Sequence, residues 1–529
     1  MFKLEFIKLK RHQQLQNIDI ILTEKIESGK ALYPYTSVII GANGTGKSYI
    51  LRTIAEVFRE LNRLKKENKN DFRLPFDVHM RYYINEDSYE INISKMEGNN
   101  KKNYWFFKNK PDDNINVSNF VTEVLFKYKI AVHELILPQN LLVNSVIPTD
   151  RFVWQDSKPD DFYQYLGIRS TKTTASTKSS SRRTIKHLFG VSRENVDFKA
   201  TLKQLLIFLE FEEDLKVDYS TKINKLFFSG NLNETDFRKY YEEWWDENFT
   251  YSKRKKENPL WSVPHYNNNF KDNPEAITSL VFFLNRISQE PGRLGHKSNS
   301  KAKILSINLF DQSLSNEEIE MVGHLENLDI INLIGIKVKK KTSNLSIEEI
   351  SSGEYHLLIS LIGIFSNISQ NSLILIDEPE ISLHPNWQMR YVSFLKNVFS
   401  NFSSCHFILT THSHFLISDL EGDSSSVITL SRDSETNKLS ADLLKGQDTF
   451  CWSPDDILYN VFNVISSRNK FVAEEIANIL DKLSKGSKES INIIDQDIFN
   501  RLNLLEQTLK SNDPLKEVVK SILKKVNFK

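Results

Sequence analysis

The chain has 529 residues, too many for one ordinary core, with 40% apolar and 26% charged residues; this is the composition of a globular protein built from two or three structural units. Its 69 Lys and Arg nearly cancel its 68 Asp and Glu, which excludes nucleic-acid binding driven by net charge and leaves only local basic surface for that role. The two cysteines, Cys405 and Cys451, exclude a disulfide framework, and the longest apolar run, Leu357 to Phe365, is far too short to span a membrane, so a soluble chain in the reducing cytoplasm is expected.

Met1 to Leu9 alternates apolar and charged residues and reads as a strand, not as a signal peptide. Ile18 to Leu22 is a second strand. The apolar run Ser37-Val38-Ile39-Ile40 then leads into Gly41-Ala42-Asn43-Gly44-Thr45-Gly46-Lys47-Ser48, a full G-x-x-x-x-G-K-[ST] pattern. In a strand–loop–helix context the backbone N–H groups around Asn43, Gly44 and Gly46 can turn inward on phosphate oxygens. Lys47 reaches the β- and γ-phosphates of a nucleoside triphosphate, and the Ser48 hydroxyl holds Mg²⁺. Ile50, Leu51, Ile54, Val57, Phe58, Leu61 and Leu64 recur at helical spacing behind the loop.

Alternation from Val78 to Ser94 predicts antiparallel strands. Leu135 to Ile147 is an apolar segment broken by Pro138 and closed by Pro148. Arg169 to Lys186 is rich in Ser, Thr and basic residues, and no acidic residue occurs between Asp161 and Glu194; a mobile basic loop is expected. Asp197 to Gln289 has a helical pattern, and Pro291 to Lys303 reads as a polar linker. Strand character returns at Ile304 to Leu309 and Ile331 to Leu345. From Ser453 the tail is helical, with Ser453 as N-cap and Pro454 in the first turn. No heptad array or internal repeat is present.

Four further elements follow the loop at a distance. Leu373-Ile374-Leu375-Ile376-Asp377-Glu378 is a buried-strand run ending in two carboxylates; Asp377 can orient Mg²⁺ and Glu378 can polarise an attacking water. Before it, Ile350-Ser351-Ser352-Gly353-Glu354 opens a helix, where Ser351 and Gly353 suit a phosphate; alone, an ordinary Ser351 N-cap with Glu354 in the first turn is the better reading. Pro379 to Pro385 follows the acids, and the strand Phe407 to Thr411 ends in His412, which can hydrogen-bond a γ-phosphate.

Together these residues resemble the ABC-type ATPase heads: Walker A loop, signature, Walker B strand with its glutamate, D-loop and switch histidine. Ser-Ser-Gly-Glu, Asp-Glu-Pro-Glu-Ile-Ser-Leu-His-Pro and Thr-His-Ser-His-Phe-Leu look like the SMC/RecF/OLD branch. The resemblance implies an α/β fold: a P-loop ATPase head with a mixed sheet and flanking helices. Its N-terminal half would be residues 1–160, its C-terminal half 304–450, with a basic loop and mainly helical insertion at 161–303 and a helical region at 451–529. It also implies ATP and Mg²⁺ as cofactors and a head-to-head homodimer, or higher homo-oligomer. Lys47, Ser48, Asp377, Glu378 and His412 of one subunit would then meet Ser351 and Gly353 of the other, with Glu378 and His412 catalytic. Ile350 replaces the usual leucine, His414 has no assigned role, and the turn Ser145 to Asp150 is the best location for a Q-loop.

Within this branch the chain is similar to the PtuA-like ATPases of Septu and retron anti-phage systems, through Tyr163 to Arg169 and the tail after Trp452 to Leu458. That implies a regulatory ATPase, whose turnover can be slow, holding an HNH-type nuclease in check, with a reverse transcriptase or retron nucleic acid as a further partner and no membrane. One alternative is an OLD-type nuclease, for which Asp495-Gln496-Asp497 matches the short metal pattern; it precedes a helical stretch and reads better as an N-cap, so no intrinsic nuclease is expected. The other is a RecF-like repair ATPase binding DNA or RNA through Arg169–Lys186, Lys253–Lys256 and Lys337–Lys341. Tyr240 to Trp245 is aromatic, but its acids argue against base stacking.

Overall fold

The structure is a computed structural model that describes residues 1–23, 32–69, 71–85, 87–95, 102–110, 126–156, 161–176, 180–185, 198–221, 227–239, 262–291, 293–296, 303–311, 315–341, 343–418, 420, 422–433, 436–444, 456–457, 496–508 and 514–525. In chain order, strands β1 (Phe2–His12), β2 (Gln16–Ile21) and β3 (Tyr35–Gly41) lead to helix α1 (Lys47–Glu67). Strands β4 (Asp77–Ile84), β5 (Asp87–Lys95), β6 (Lys102–Lys110), β7 (Phe126–Lys129), β8 (Leu141–Ser145) and β9 (Tyr163–Tyr165) follow. Next come α2 (Phe198–Phe208), β10 (Leu215–Thr221), α3 (Ser262–Asn269), α4 (Pro274–Gln289), β11 (Leu294–His296), β12 (Lys303–Asn308), α5 (Asn316–Asn327), β13 (Ile331–Lys340) and β14 (Ser343–Ser346). The last elements before the tail are α6 (Ser352–Asn367), β15 (Leu373–Asp377), α7 (Pro385–Val398), β16 (His406–Thr411), β17 (Ser425–Arg432) and β18 (Leu439–Leu444).

Three sheets result among the described residues. The first is an antiparallel six-stranded sheet in the order β2-β1-β4-β5-β6-β7, as the alternation of Val78 to Ser94 requires. The second is a five-stranded antiparallel sheet, β11-β12-β10-β13-β14. The third has seven strands, β18-β17-β3-β16-β15-β8-β9, parallel except for the edge strand β18. Every residue of β3, β15 and β16 is buried, which explains their continuous apolar runs: a parallel strand covered on both faces has no polar side. Helix α1 inserts Ile50, Leu51, Ile54, Val57, Phe58, Leu61 and Leu64 into one core shared by the six-stranded and seven-stranded sheets. Each such side chain contributes about 1.5–3 kcal/mol of burial free energy, so the two sheets and the helix behind the loop form one rigid frame.

Residues 161–303 differ from the mainly helical pattern expected of them. They carry α2, α3 and α4, but also β9, which closes one edge of the parallel sheet, and β10, the middle strand of the five-stranded sheet. The seven-residue run of β10 lies between longer helical clusters whose period dominates any wide window. The chain divides into two compact units, Met1–Ile457 and Leu458–Lys529. In the second, α8 (Gln496–Thr508) and α9 (Pro514–Lys525) pack together. Ser453 and Pro454 lie outside the described residues. Among the described residues no helix is long and apolar enough to cross a membrane.

Candidate functional site

Parallel register brings the chemistry to one edge. Asp377, the last residue of β15, is level with Thr410 of β16 and Ser145 of β8, and Thr411 is level with Ile40, one residue before Gly41. Ligands of open parallel sheets bind at these C-terminal strand ends, where the connections diverge.

The loop after β3 turns on glycines. Gly46 has φ 94° and caps α1 without a side-chain hydrogen bond, and a Cβ there would lie 2.8 Å from Leu15 Cδ2. The first N–H groups of α1 therefore face the loop without a side-chain acceptor at the cap, the arrangement that binds phosphate. Asn43 and Gly44 are exposed at its tip. Lys47 folds back, its Nζ donating to the carbonyls of Gly41 (2.8 Å) and Ala42 (3.3 Å) and lying 3.1 Å from His412 Nδ1. Burial pushes the Lys47 ammonium down to about 8, against the pull of Glu378, Glu380 and Asp377.

Beside it, Asp377 Oδ1 accepts hydrogen bonds from Ser48 Oγ (2.9 Å) and Thr410 Oγ1 (2.6 Å). Burial pushes the Asp377 carboxyl up to about 6, although both hydroxyls pull it down. A hydroxyl and a carboxylate at the mouth of a phosphate loop are hard oxygen donors of the kind Mg²⁺ takes alongside substrate phosphates, so Ser48 and Asp377 fit that ion. Glu378 has φ 49°, a left-handed conformation costly for a side chain of its size, held by its N–H on the Thr410 carbonyl (3.0 Å). Its Oε1 lies 3.2 Å from His412 Nε2, and that bond draws its pKa below the usual glutamate range. The Nε2–H tautomer of His412 satisfies both neighbours: it accepts from Lys47 at Nδ1 and donates to Glu378.

Glu380 was not singled out from the sequence. It is buried and its Oε1 accepts from the His412 N–H at 2.7 Å; burial raises its pKa. It fixes the backbone of His412. The signal was a second acid two residues beyond Glu378.

Ser351 and Gly353 have different surroundings. Ser351 caps α6: its hydroxyl accepts from the Glu354 N–H (3.3 Å) and donates to Glu354 Oε2 (2.7 Å), and its own N–H donates to the same oxygen (2.9 Å). This is a capping box, strengthened by Lys340 on Glu354 (2.6 Å). Among the described residues no hydrogen bond joins Ser351 or Gly353 to Gly41–Ser48. Gly353 is required by contact, since a Cβ would overlap the carbonyl oxygen of Ser382, in the loop after Glu378.

Among the described residues, several side chains of the basic segments have partners within the fold. Arg169 and Arg183, expected on a mobile loop, are held inside: Arg169 pairs with buried Asp150 at 2.6 Å, and Arg183 donates to the Arg169 and Gly167 carbonyls. Asp150 lies outside the basic segment, so sequence charge alone made Arg169 look free. Lys337, Lys339 and Lys340 pair with Asp218, Glu212 and Glu354. Lys253–Lys256, Tyr240–Trp245, Trp452 and Asp495 lie outside the described residues, and α8 begins at Gln496. The Ser145–Asp150 turn stands at the end of β8, beside Asp377. His414 opens a short 3-10 turn and its ring packs on Phe415.

A family profile described as the AAA ATPase domain matches residues 2–417. The chain is 24% identical over 429 residues to the Retron Vc95 probable ATPase of Vibrio cholerae serotype O1 biovar El Tor, covering 74% of this chain and 68% of that one. It is 26% identical over 149 residues to the Septu protein PtuA of Bacillus thuringiensis, covering 28% of this chain and 35% of that protein. Among solved structures, an Smc head domain with an extended coiled coil, bound to the C-terminal domain of ScpA derived from Pyrococcus furiosus, aligns over 85% of this chain and 98% of its own at 14% identity and a TM-score of 0.35. An SmcHead bound to the C-winged helix domain of ScpA aligns over 84% and 99% at 13% identity and a TM-score of 0.33.

Proposed function

From a chain that belongs to the AAA ATPase domain family, we propose an ATP-driven timer: the protein binds and hydrolyses ATP, closes head to head with a second copy, and through that cycle restrains or releases a partner nuclease of HNH type in anti-phage defence. The observation that carries the ATPase reading is the meeting of Ser48 and Thr410 on Asp377, one residue from the Glu378–His412 pair. Gly41 to Ser48 holds the phosphates, and Lys47 swings from the loop carbonyls to the β- and γ-phosphates. Ser48 and Asp377 would hold Mg²⁺, which would supply neutralisation of phosphate charge. Glu378 takes the proton of the attacking water, and His412 turns its Nε2–H from Glu378 to the γ-phosphate as the nucleotide seats. The dimer rests on Ser351 and Gly353, whose helix start suits a phosphate supplied by another subunit.

The defence role rests on similarity to a retron ATPase and to PtuA. Direct binding of DNA in the RecF manner has less support, because Arg169, Arg183, Lys337, Lys339 and Lys340 already have partners within the fold. Affinity purification of the chain from its native host, with and without ATP, tests the proposal. A nuclease subunit retained in one nucleotide state and freed in the other is expected. Salt-sensitive DNA binding by the isolated chain, with no protein partner, would replace it with the repair reading.

A further inference from the structure

Between the Asp377 edge and the helix that begins at Ser352 lies a buried polar cluster with no place in the chemistry above. Asp150 is fully buried at the end of the turn after β8, and four donors meet on its carboxylate: Arg169 Nη2 (2.6 Å), Arg169 Nε (2.8 Å), Tyr165 Oη (2.5 Å) and the Phe152 N–H (3.0 Å). Arg169 Nη2 also donates to the Phe152 carbonyl at 2.6 Å. A buried ion pair is seldom the most stabilising filling for a core, since apolar residues of equal volume do as well. Its persistence here calls for a reason of position.

One side of the cluster meets the nucleotide edge. Ser145 is level with Asp377, the Ile168 N–H donates to the Ser145 carbonyl at 3.2 Å, and the Asp150 charge is near enough to act on the Asp377 carboxyl. On the other side, Arg183 donates to the Arg169 carbonyl at 3.1 Å, and Ser181, two residues earlier in the same short helix, lies 2.8 Å from the Tyr355 hydroxyl. Tyr355 is in the first turn of α6, its N–H bonded to the Ser351 carbonyl at 2.9 Å. Hydrogen bonds thus lead from the strand beside Asp377 through Asp150, Arg169, Arg183 and the Ser181 helix to Ser351.

We infer that Asp150 and Arg169 are positioning residues that lock the Asp377 edge to the Ser351 helix, so that the parts one subunit gives to the two ATP sites of the dimer move as one body. This rests on the reading of Gly41–Ser48 and Asp377–Glu378 as an ATP site. Removing the lock leaves the phosphate loop intact, so nucleotide still binds, but Ser351 no longer follows the state of the Asp377 edge.

The test compares wild type, Arg169→Gln, Arg169→Lys, Tyr355→Phe and Lys47→Ala by Kd for ATP, kcat, ATP-dependent association and thermal unfolding. Arg169→Gln is expected to lower kcat about ten- to a hundredfold while Kd stays within about threefold, since small misplacements of a reacting constellation are costly in rate. Arg169→Lys recovers part of the loss. Tyr355→Phe, which removes one hydroxyl bonded to Ser181 and assigned no phosphate contact, lowers kcat in the same sense and weakens association; it decides the matter if Arg169→Gln does not fold. Unchanged kcat in Tyr355→Phe and Arg169→Lys, or losses of kcat and Kd that track lost thermal stability, would overturn the inference. If instead Lys47→Ala binds ATP as wild type does, the ATP-site reading itself fails.

Discussion

Glu378 Oε1 lies 3.2 Å from Nε2 of His412, on a backbone held at φ 49°. A residue kept in a left-handed conformation and paired to an imidazole is oriented at an energetic cost, which a purely structural acid would have no need to bear. Glu378→Gln keeps the volume and the hydrogen bond but removes the proton acceptor. Turnover is expected to fall by about 10²–10⁴-fold, with ATP binding retained and the ATP-bound dimer accumulating. Single-turnover assays and sedimentation with ATP check this; wild-type turnover in Glu378→Gln would remove the residue from the chemistry.

Lys47 donates to the Gly41 and Ala42 carbonyls and must leave them to reach a phosphate. Lys47→Ala should therefore lose those two bonds in the free protein and abolish nucleotide linkage. Wild type is expected to gain about 2.7 kcal/mol of stability at ATP a hundredfold above its Kd, seen as a rise in Tm, and Lys47→Ala none. An equal rise in both proteins would mean that nucleotide binds elsewhere.

The parts of this site that were legible in the sequence are those in which the motif is also the local geometry. Gly44, Gly46, Lys47 and Ser48 form one loop, and Asp377 and Glu378 end one strand. Thr410 and Glu380 were hidden because their roles depend on register: Thr410 reaches Asp377 only because β16 lies parallel and level with β15. Arg169 misled for the same reason. Its charge shows in the sequence, while Asp150, which neutralises it, is brought near by the β8–β9 pairing and the turns that follow each strand. The five-stranded sheet escaped notice because β10 is a short run whose partners, β12 and β13, lie far along the chain.

The buried acids predict a pH profile. Burial pushes Asp377 up to about 6 and Lys47 down to about 8. Between the ordinary aspartate value and about 6, the folded chain binds the Asp377 proton more tightly than the unfolded chain does. This group's contribution to stability is therefore greatest in acid and is lost as pH rises through that window. Cation binding needs the ionised carboxylate, so Mg²⁺-dependent kcat/KM is expected to rise near pH 6 and to fall again near pH 8 as free Lys47 loses its charge. Initial rates from about pH 5 to about pH 9 give the profile; a flat response would show that neither group titrates in the free enzyme.

Ser351 bonds within its own helix start, and the proposal places it on the ATP of a second subunit. Mixing distinguishes a shared site from a site within one chain. Lys47→Ala lacks the phosphate grip but has a normal Ser351; Ser351→Arg has the grip but blocks the helix start. Each alone is expected to be inactive. In a mixed dimer, the Lys47 loop of the second variant faces the Ser351 of the first, so one of the two sites is whole. Equal mixing puts half the dimers in that form, and turnover should recover to about a quarter of wild type for two-fold symmetric, independently acting sites. The capping loss in Ser351→Arg, about 1 kcal/mol, leaves enough stability for the experiment. If each chain completed its own site, mixing would restore nothing, because no single chain in the sample would hold both an intact Lys47 and an intact Ser351.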